Sequence, residues 1–364
     1  MAGLSCGIVG LPNVGKSTLF NALTSNKAAA SNYPFCTIDP NVGIVPVYDP
    51  RLLVLSEISS SKKIIEALME FVDIAGLVEG ASKGEGLGNK FLTNIGETDA
   101  IVHVVRCFDD DNVVHVAGKV DPIHDIQIIN LELILADLQM VENAIARLER
   151  QVKTKKELEP VVAALKLAEA HLNNELPIRT LVLKPEEREA LSTYRFLSGK
   201  KVLYVANVSE EDLPEMENEY VEKVREYAKA EGNSVICICA KLEEEIAQLD
   251  AAERVPFLES LGLHQTGLQR LVKASFDMLG LITYLTTGEM ETRAWTISRG
   301  CNAAEAAGKI HTDIQKGFIR AEVVAYEDMV TYHGRVGARE KGKVRAEGRD
   351  YIVADGDVIL FMHN

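Results

Sequence analysis

Apolar positions along this 364-residue chain fall into distinct periods. Short, nearly unbroken apolar runs come at 4–9, 42–48, 68–73, 100–106, 201–207 and 234–240. Runs of that length, bounded by turn residues, read as buried strands. The stretches between several of them read as helices, which predicts an α/β domain. Between residues 126 and 172 the period changes. Leu131, Ile134, Leu138, Val141, Ile145, Leu148 and Val152 recur at spacings of 3 and 4, the signature of a helix with a coiled-coil seam. A charged turn, Lys153 to Glu157, ends it, and Leu158, Val161, Leu165, Ala168 and Leu172 repeat the spacing. Two such helices across a short turn predict an antiparallel hairpin. A further helix is expected from about Glu186 to Leu197. The strand pattern then returns at Lys201, so the helical stretch is an insertion in the α/β domain.

An amphipathic helix from Leu261 to Leu279 closes that domain. Beyond Gly280 the pattern is of short strands, at 294–297, 318–326, 351–353 and 358–361, with a helix from Ala303 to His311. Turn signals such as Asp355-Gly356-Asp357 separate them, and a small α+β domain fits. The expected division is 1–122 with 200–280 as a nucleotide-binding domain, 123–199 as a helical coiled-coil insertion, and 281–364 as the C-terminal domain.

Composition narrows the class. With 47% apolar and 26% charged residues the chain reads as globular. No apolar run approaches the roughly 20 residues that span a bilayer. The N-terminus lacks a basic region, so no secretory leader and no membrane partner are expected. Six cysteines, at 6, 36, 107, 237, 239 and 301, include no C-x-x-C pair. They argue for small packed hydrophobes in a reduced, cytoplasmic protein rather than a zinc site. A formal net charge of −15 argues against a general nucleic-acid binder, and no DNA partner is expected. The stretch from Arg335 to Arg349 is locally basic and reads as a solvated loop.

The chemistry concentrates at Gly10-Leu11-Pro12-Asn13-Val14-Gly15-Lys16-Ser17, a G-x-x-x-x-G-K-S/T loop between a predicted strand and a predicted helix. Glycines there let successive N–H groups turn toward a phosphate, with a helix N-terminus behind them. Lys16 suits the β- and γ-phosphates and Ser17 suits Mg²⁺. Asn13, Val14, Gly15 and Thr18 complete the expected phosphate shell. Thr37, in the loop before the second strand, is the candidate metal and γ-phosphate sensor. Asp73-Ile74-Ala75-Gly76 ends a strand: Asp73 suits a metal-shell role and the Gly76 N–H suits the γ-phosphate. Leu77 stands where Ras-like GTPases carry a water-orienting glutamine. Slow hydrolysis, or a catalytic group such as His115, is therefore expected. The glycine-rich stretch 80–88 reads as a mobile switch loop.

Phe108, after the fourth apolar run, is positioned to face a nucleotide base. Asn207-Val208-Ser209-Glu210 stands in place of the guanine-reading N-K-x-D. Glu210 either reads guanine from a longer arm or turns away while backbone groups read adenine. Ala240-Lys241 is similar to the S-A-K element whose backbone N–H meets the base.

These motifs, with Asn32-Tyr33-Pro34-Phe35-Cys36-Thr37, resemble those of the Obg-like ATPase (YchF) family of P-loop NTPases, of the TRAFAC class, along the whole chain. Ile310 to Asp313, Gly317 to Arg320 and Ala354 to Asp357 resemble a TGS domain. The resemblance implies a Ras-like G domain with an inserted helical hairpin and a C-terminal β-grasp (TGS) domain. It implies ATP preferred over GTP, ribosome association, and an apolar residue in place of the catalytic glutamine, as Leu77 is. Asn207 would contact the base with Phe108 packed beside it, and Asn13 occupies a position where related proteins hold potassium. The family likeness also favours RNA contacts for the basic 335–349 stretch. The leading expectation is a slow Mg²⁺-dependent, ribosome-associated ATPase switch. An Obg-type GTPase and a non-hydrolysing ribosome adaptor are the alternatives.

Overall fold

The computed structural model describes residues 4–25, 41–75, 87–109 and 120–364. Thr37, Gly76, Leu77, His115 and most of the glycine-rich stretch lie outside the described residues. In chain order the elements are β1 (Ser5–Val9), α1 (Lys16–Thr24), β2 (Val42–Val47), α2 (Arg51–Ser59), β3 (Ile64–Ile65), β4 (Ala67–Asp73), α3 (Leu87–Glu97) and β5 (Ala100–Arg106). The helical stretch holds α4 (Pro122–Val152), α5 (Glu159–Asn173) and α6 (Pro185–Ala190). Then come β6 (Lys201–Asn207), α7 (Glu219–Glu231), β7 (Ser234–Ile238), α8 (Ala240–Gln248), α9 (Ala251–Ser260) and α10 (Gly267–Met278). The C-terminal part holds β8 (Leu281–Thr287), β9 (Thr292–Ser298), α11 (Ala303–Ile310), α12 (Thr312–Lys316), β10 (Phe318–Val324), α13 (Tyr326–Thr331), α14 (Arg335–Glu340), β11 (Arg345–Glu347) and β12 (Val358–His363). By packing, the chain divides into two compact units, Met1–Gly43 with Glu70–Arg270, and Ile44–Met69 with Leu271–Asn364.

In the first unit the strands run parallel in the order β4-β1-β5-β6-β7. β1 and β5 are buried along their whole length, and β6 at every residue but its first. That is the pattern of a parallel sheet covered on both faces. All five strands end on one edge, so Val9, Asp73, Arg106, Asn207 and Ile238 open onto a shared crevice, the usual ligand side of such a sheet.

The 31-residue helix α4 serves two cores. Asp121 caps it by accepting from the His124 N–H at 3.2 Å, with Pro122 in the first turn. Its first half, with Ile126, Ile129 and Leu133 buried, packs on β5 and α7. Its second half pairs with α5 through Val141, Ile145, Leu148, Leu165, Ala168 and Leu172. The hairpin therefore forms as the spacing predicts, except that Leu131 faces outward, 39% exposed. The expected helix to Leu197 stops at Ala190. Past Ala190 the backbone turns more tightly, with the Ser192 N–H donating to the Glu189 carbonyl and the Tyr194 N–H to the Leu191 carbonyl, both at 3.0 Å. The segment then docks on the Asp137 carboxylate, 2% exposed, which accepts from the N–H groups of Leu197 and Ser198 at 2.8 Å each and from Ser198 Oγ at 2.6 Å. Those N–H groups bond to the carboxylate of another helix, not to carbonyls four residues back.

The expected closing helix, Leu261 to Leu279, is shorter: α10 begins only at Gly267, and α9 ends before the expected range starts. Gly262 takes φ +70°, a left-handed turn that ends the α9 region. Glu243 then caps α10 by accepting from the N–H of Gly267 at 2.6 Å and of Leu268 at 3.3 Å.

The second unit is a mixed sheet in the order β11-β10-β12-β8-β9-β3. β8 and β9 form an antiparallel hairpin, β12 lies parallel to β8, and β10 pairs antiparallel with β12 and β11. That order, with α11 packed on the core of Tyr284, Ala321, Val323 and Phe361, is a β-grasp. Three sequence expectations are corrected here. β8 is a strand that the composition shift at Gly280 concealed. Tyr351–Val353 contributes only a bridge, Asn302 to Ile352. The basic 335–349 stretch is no loop: it folds as α14 and β11, with Arg335 donating to the carbonyls of Glu322 and Val358 at 3.1 and 3.3 Å. Residues 44–69, which the sequence division gave to the nucleotide domain, pack in this second unit. α2 buries Leu52 and Leu55, Arg51 pairs with Asp355 at 2.9 Å, and β3 adds to β9.

Candidate functional site

The loop 10–15 leaves β1 at the crevice and enters α1. Gly15 stands at the helix start with φ +95°, and a Cβ there would lie 2.2 Å from Asn207 Nδ2. A Cβ on Gly10 would lie 2.9 Å from the Val104 carbonyl. Both glycines are thus demanded by space, and Gly15 by backbone conformation as well. Among the described residues no side chain caps the start of α1, where the first N–H groups of a helix lack intrahelical partners. Asn13 is exposed, with φ +65°. Val14 is buried, 1% exposed, and anchors the loop. Ser17 is exposed, and Thr18 lines the cleft beside it.

The pairing of β1 with β4 sets Ile8 opposite Asp73. This brings Asp73 to the loop, where its Oδ1 forms an ion pair with Lys16 Nζ; the two side chains are 23% and 11% exposed. Residues 57 apart in the chain thereby meet at the point where the sequence places a phosphate and a metal.

The other end of the crevice is a cleft of about 580 Å³ lined by Phe108, Asn207, Glu210, Ala240 and Lys241, among others, and reaching Gly15 and Thr18. Asn207 joins its two sides. Its amide Nδ2 donates to the Val14 carbonyl at 2.9 Å and its Oδ1 accepts from the Ala240 N–H at 3.0 Å. Buried at 5% exposure, Asn207 is a brace between the phosphate loop and the start of α8. The Ala240 N–H expected to meet the base is engaged by that brace. Val208 donates its N–H to the Ile238 carbonyl at 2.9 Å, is 2% exposed, and lines the cleft. Glu210 is turned to Lys241, with Oε2 and Nζ 2.6 Å apart.

Phe108 lines the cleft with the guanidinium of Arg106 stacked 4.9 Å from its ring centre. Arg106 is 1% exposed and donates from Nε to the Phe108 carbonyl at 3.0 Å. Sequence reasoning missed this support, and nothing local signals it. It also missed a rim of capping bonds that local sequence does signal. Ser209-x-x-Asp212 is a capping box, with Asp212 Oδ2 accepting from Ser209 N at 3.1 Å and Oγ at 3.0 Å. Asn218 caps α7 and ties the rim to β5 by donating to the Cys107 carbonyl at 2.8 Å.

Cys6, Cys107, Cys237 and Cys239 are buried, and burial raises the thiol pKa of the last three above its usual value. Among the described residues no helix is long and apolar enough to cross a membrane.

Comparison with known proteins agrees with this architecture. A family model described as a 50S ribosome-binding GTPase matches residues 5–162. The YchF-GTPase C-terminal model, described as a protein of unknown function (DUF933), matches residues 281–364. The chain is 55% identical over 363 residues to the ribosome-binding ATPase YchF of Haemophilus influenzae, covering 100% of this chain and 99% of that protein. It is 54% identical over 364 residues to the protein of the same name from Bacillus subtilis, covering 99% of each. The solved structure of the Schizosaccharomyces pombe YchF GTPase matches with a TM-score of 0.88 at 36% identity, covering 100% of this chain and 99% of that one. A GTP-binding protein from Pyrococcus horikoshii shares the fold, with a TM-score of 0.62 at 20% identity and 99% of this chain covered. Identity above one half, sustained from end to end, makes this chain a member of the YchF family.

Proposed function

We propose that this protein hydrolyses ATP to ADP and phosphate, slowly and with Mg²⁺, as a conformational switch that works on ribosomes in the cytoplasm. The observation that carries the reading is the Lys16–Asp73 pair beneath an uncapped helix start. The relatives' names, ribosome-binding ATPase, supply the nucleotide and the partner.

Phosphoryl transfer to water needs positioning and charge stabilisation more than covalent chemistry. When a triphosphate enters, Lys16 exchanges the Asp73 carboxylate for phosphate oxygens. Ser17 and Asp73 offer hydroxyl and carboxylate oxygens, the hard donors that suit Mg²⁺, and these residues fit that ion. A metal ion held by Ser17 and Asp73 would supply positive charge against the phosphates. Thr37 and the Gly76 N–H join the shell on closure, and Leu77, unable to orient water, keeps turnover slow. Phe108 stacks on the base, and Asn207 holds the two loops around it. Asn13 offers an amide oxygen for potassium, and a potassium requirement lost in Asn13→Ala would support that site. The C-terminal β-grasp serves as a TGS module, and the basic side chains of 335–349 contact ribosomal RNA.

Lys16→Ala tests the reading. ATP turnover, measured with ribosomes and potassium present, should fall by at least on the order of 100-fold, as for loss of a transition-state charge partner. The thermal unfolding transition should stay cooperative. Unchanged turnover would overturn the assignment.

A further inference from the structure

Among the described residues, the base end of the cleft is lined by four carboxylates, of Asp109, Glu210, Glu211 and Glu244, and by one cation, Lys241. That cation is engaged by one of the four. Lys241 Nζ lies 2.6 Å from Glu210 Oε2, and Glu210 holds the last position of Asn207-Val208-Ser209-Glu210. A carboxylate at that position in N-K-x-D accepts the N1–H and 2-amino protons of guanine. Adenine presents a lone pair at N1 and repels such a group.

Two nearby carboxylates are engaged, each through one oxygen. Asp212 Oδ2 accepts from Ser209 N, Ser209 Oγ and, at 3.1 Å, Asn218 Nδ2. Asp109 Oδ2 accepts from the Tyr220 hydroxyl at 2.8 Å. The backbone of the loop is fixed by the capping box and by the Val208 N–H bond to β7, so Glu210 chooses its partner by side-chain rotation alone.

We infer that Lys241 is a specificity residue: it holds the Glu210 carboxylate away from the base edge and so withholds from guanine the acceptor that guanine needs. The inference rests on the proposed function, that this cleft takes the base of a nucleoside triphosphate, and it assigns part of the discrimination between bases to one ion pair. The lock is weak. The two side chains are 68% and 42% exposed, and a pair that open contributes at most about fivefold to an equilibrium constant. The remaining preference for adenine belongs to the rest of the cleft.

The test is a set of equilibrium titrations with ATP, GTP and inosine triphosphate in Mg²⁺ buffer. The proteins are the full-length wild type, Lys241→Ala, Glu210→Gln and the double variant. In Lys241→Ala the affinity for GTP relative to ATP should rise about fivefold. Inosine triphosphate, which keeps N1–H but lacks the 2-amino group, should gain less. The double variant should show no gain, because the freed carboxylate is gone. Raising salt from about 0.05 M to about 0.5 M should shift the wild-type ratio in the same direction and leave that of Lys241→Ala unmoved, since salt screens exposed pairs.

An unmoved ratio in Lys241→Ala, or an equal gain in the double variant, overturns the inference. Should Lys241→Ala fail to fold, the salt series on the wild type decides, and a ratio constant across salt overturns it. A wild type that prefers GTP, or binds no nucleotide, overturns the proposed function instead and is read from the wild type alone.

Discussion

The two ends of the cleft are built by different means. The phosphate end is mostly backbone: a loop bent by Gly10 and Gly15, the open start of α1, and one ion pair beneath it. The base end is mostly side chains reaching across strand ends: Asn207 to Val14 and Ala240, Arg106 to Phe108, Glu210 to Lys241. Backbone geometry tolerates little change of residue and is common to any phosphate ligand. A side-chain network can be re-paired singly. On the proposed function, the contrast assigns affinity to the first end and selectivity to the second.

The largest expected effect comes from breaking the backbone end. Gly15→Ala forces a Cβ to 2.2 Å from Asn207 Nδ2 at φ +95°. Strain and clash together should cost at least about 3 kcal/mol of binding, or roughly 100-fold in affinity. ATP and GTP should weaken equally in a fluorescence titration; unequal loss would blur the division between the two ends.

Asn207→Ala strikes the joint between them. It leaves the Val14 carbonyl and the Ala240 N–H without a partner in a buried site. Each stranded group costs about 1–3 kcal/mol, so denaturant unfolding should show a loss of roughly 2–6 kcal/mol, with weaker binding of both nucleotides. A loss below about 1 kcal/mol would mean that water replaces the brace.

A smaller effect concerns the sheet on which the base end stands. His103 in β5 is 2% exposed, its ring centre 5.6 Å from that of Tyr204. Burial, with the charge of Arg179 nearby, lowers its pKa from 6.5 to about 3. A depressed histidine pKa means that the unfolded chain takes up the proton first. The unfolded state therefore binds more protons between about pH 6.5 and 3, and stability falls as pH drops through that window. One such group contributes up to about 1.4 kcal/mol per pH unit. Denaturant midpoints between pH 7 and 5 should show this slope, and His103→Phe should flatten it. An unchanged slope in the variant would place the titration elsewhere.

How far the chain could be read beforehand follows the same division. Lys16, Ser17 and Asp73 stood out because a loop and a strand end are local, periodic features. Asn207 and Glu210 stood out by position, but their partners did not. Asn207 meets Val14 across 193 residues, and Glu210 meets Lys241 across 31, contacts set by strand order. The same reason explains the errors in the helices. The expected helix does not reach Leu197, because the N–H groups of Leu197 and Ser198 bond to a carboxylate on α4, and the basic stretch folds because Arg335 finds carbonyls on β10 and β12.

What the sequence alone determined was the periodicity of its elements, the phosphate loop with its glycines, the hairpin stripe and the acidic balance. Each depends on residues within a turn or two of one another, where backbone sterics and burial act without reference to the rest of the chain. Only the tertiary structure decided that residues 44–69 pack with the C-terminal β-grasp, that Asn207 is a brace, and that Glu210 faces a lysine. Those outcomes depend on which strand ends become neighbours, and a parallel sheet makes that choice by burying surfaces contributed from the whole length of the chain.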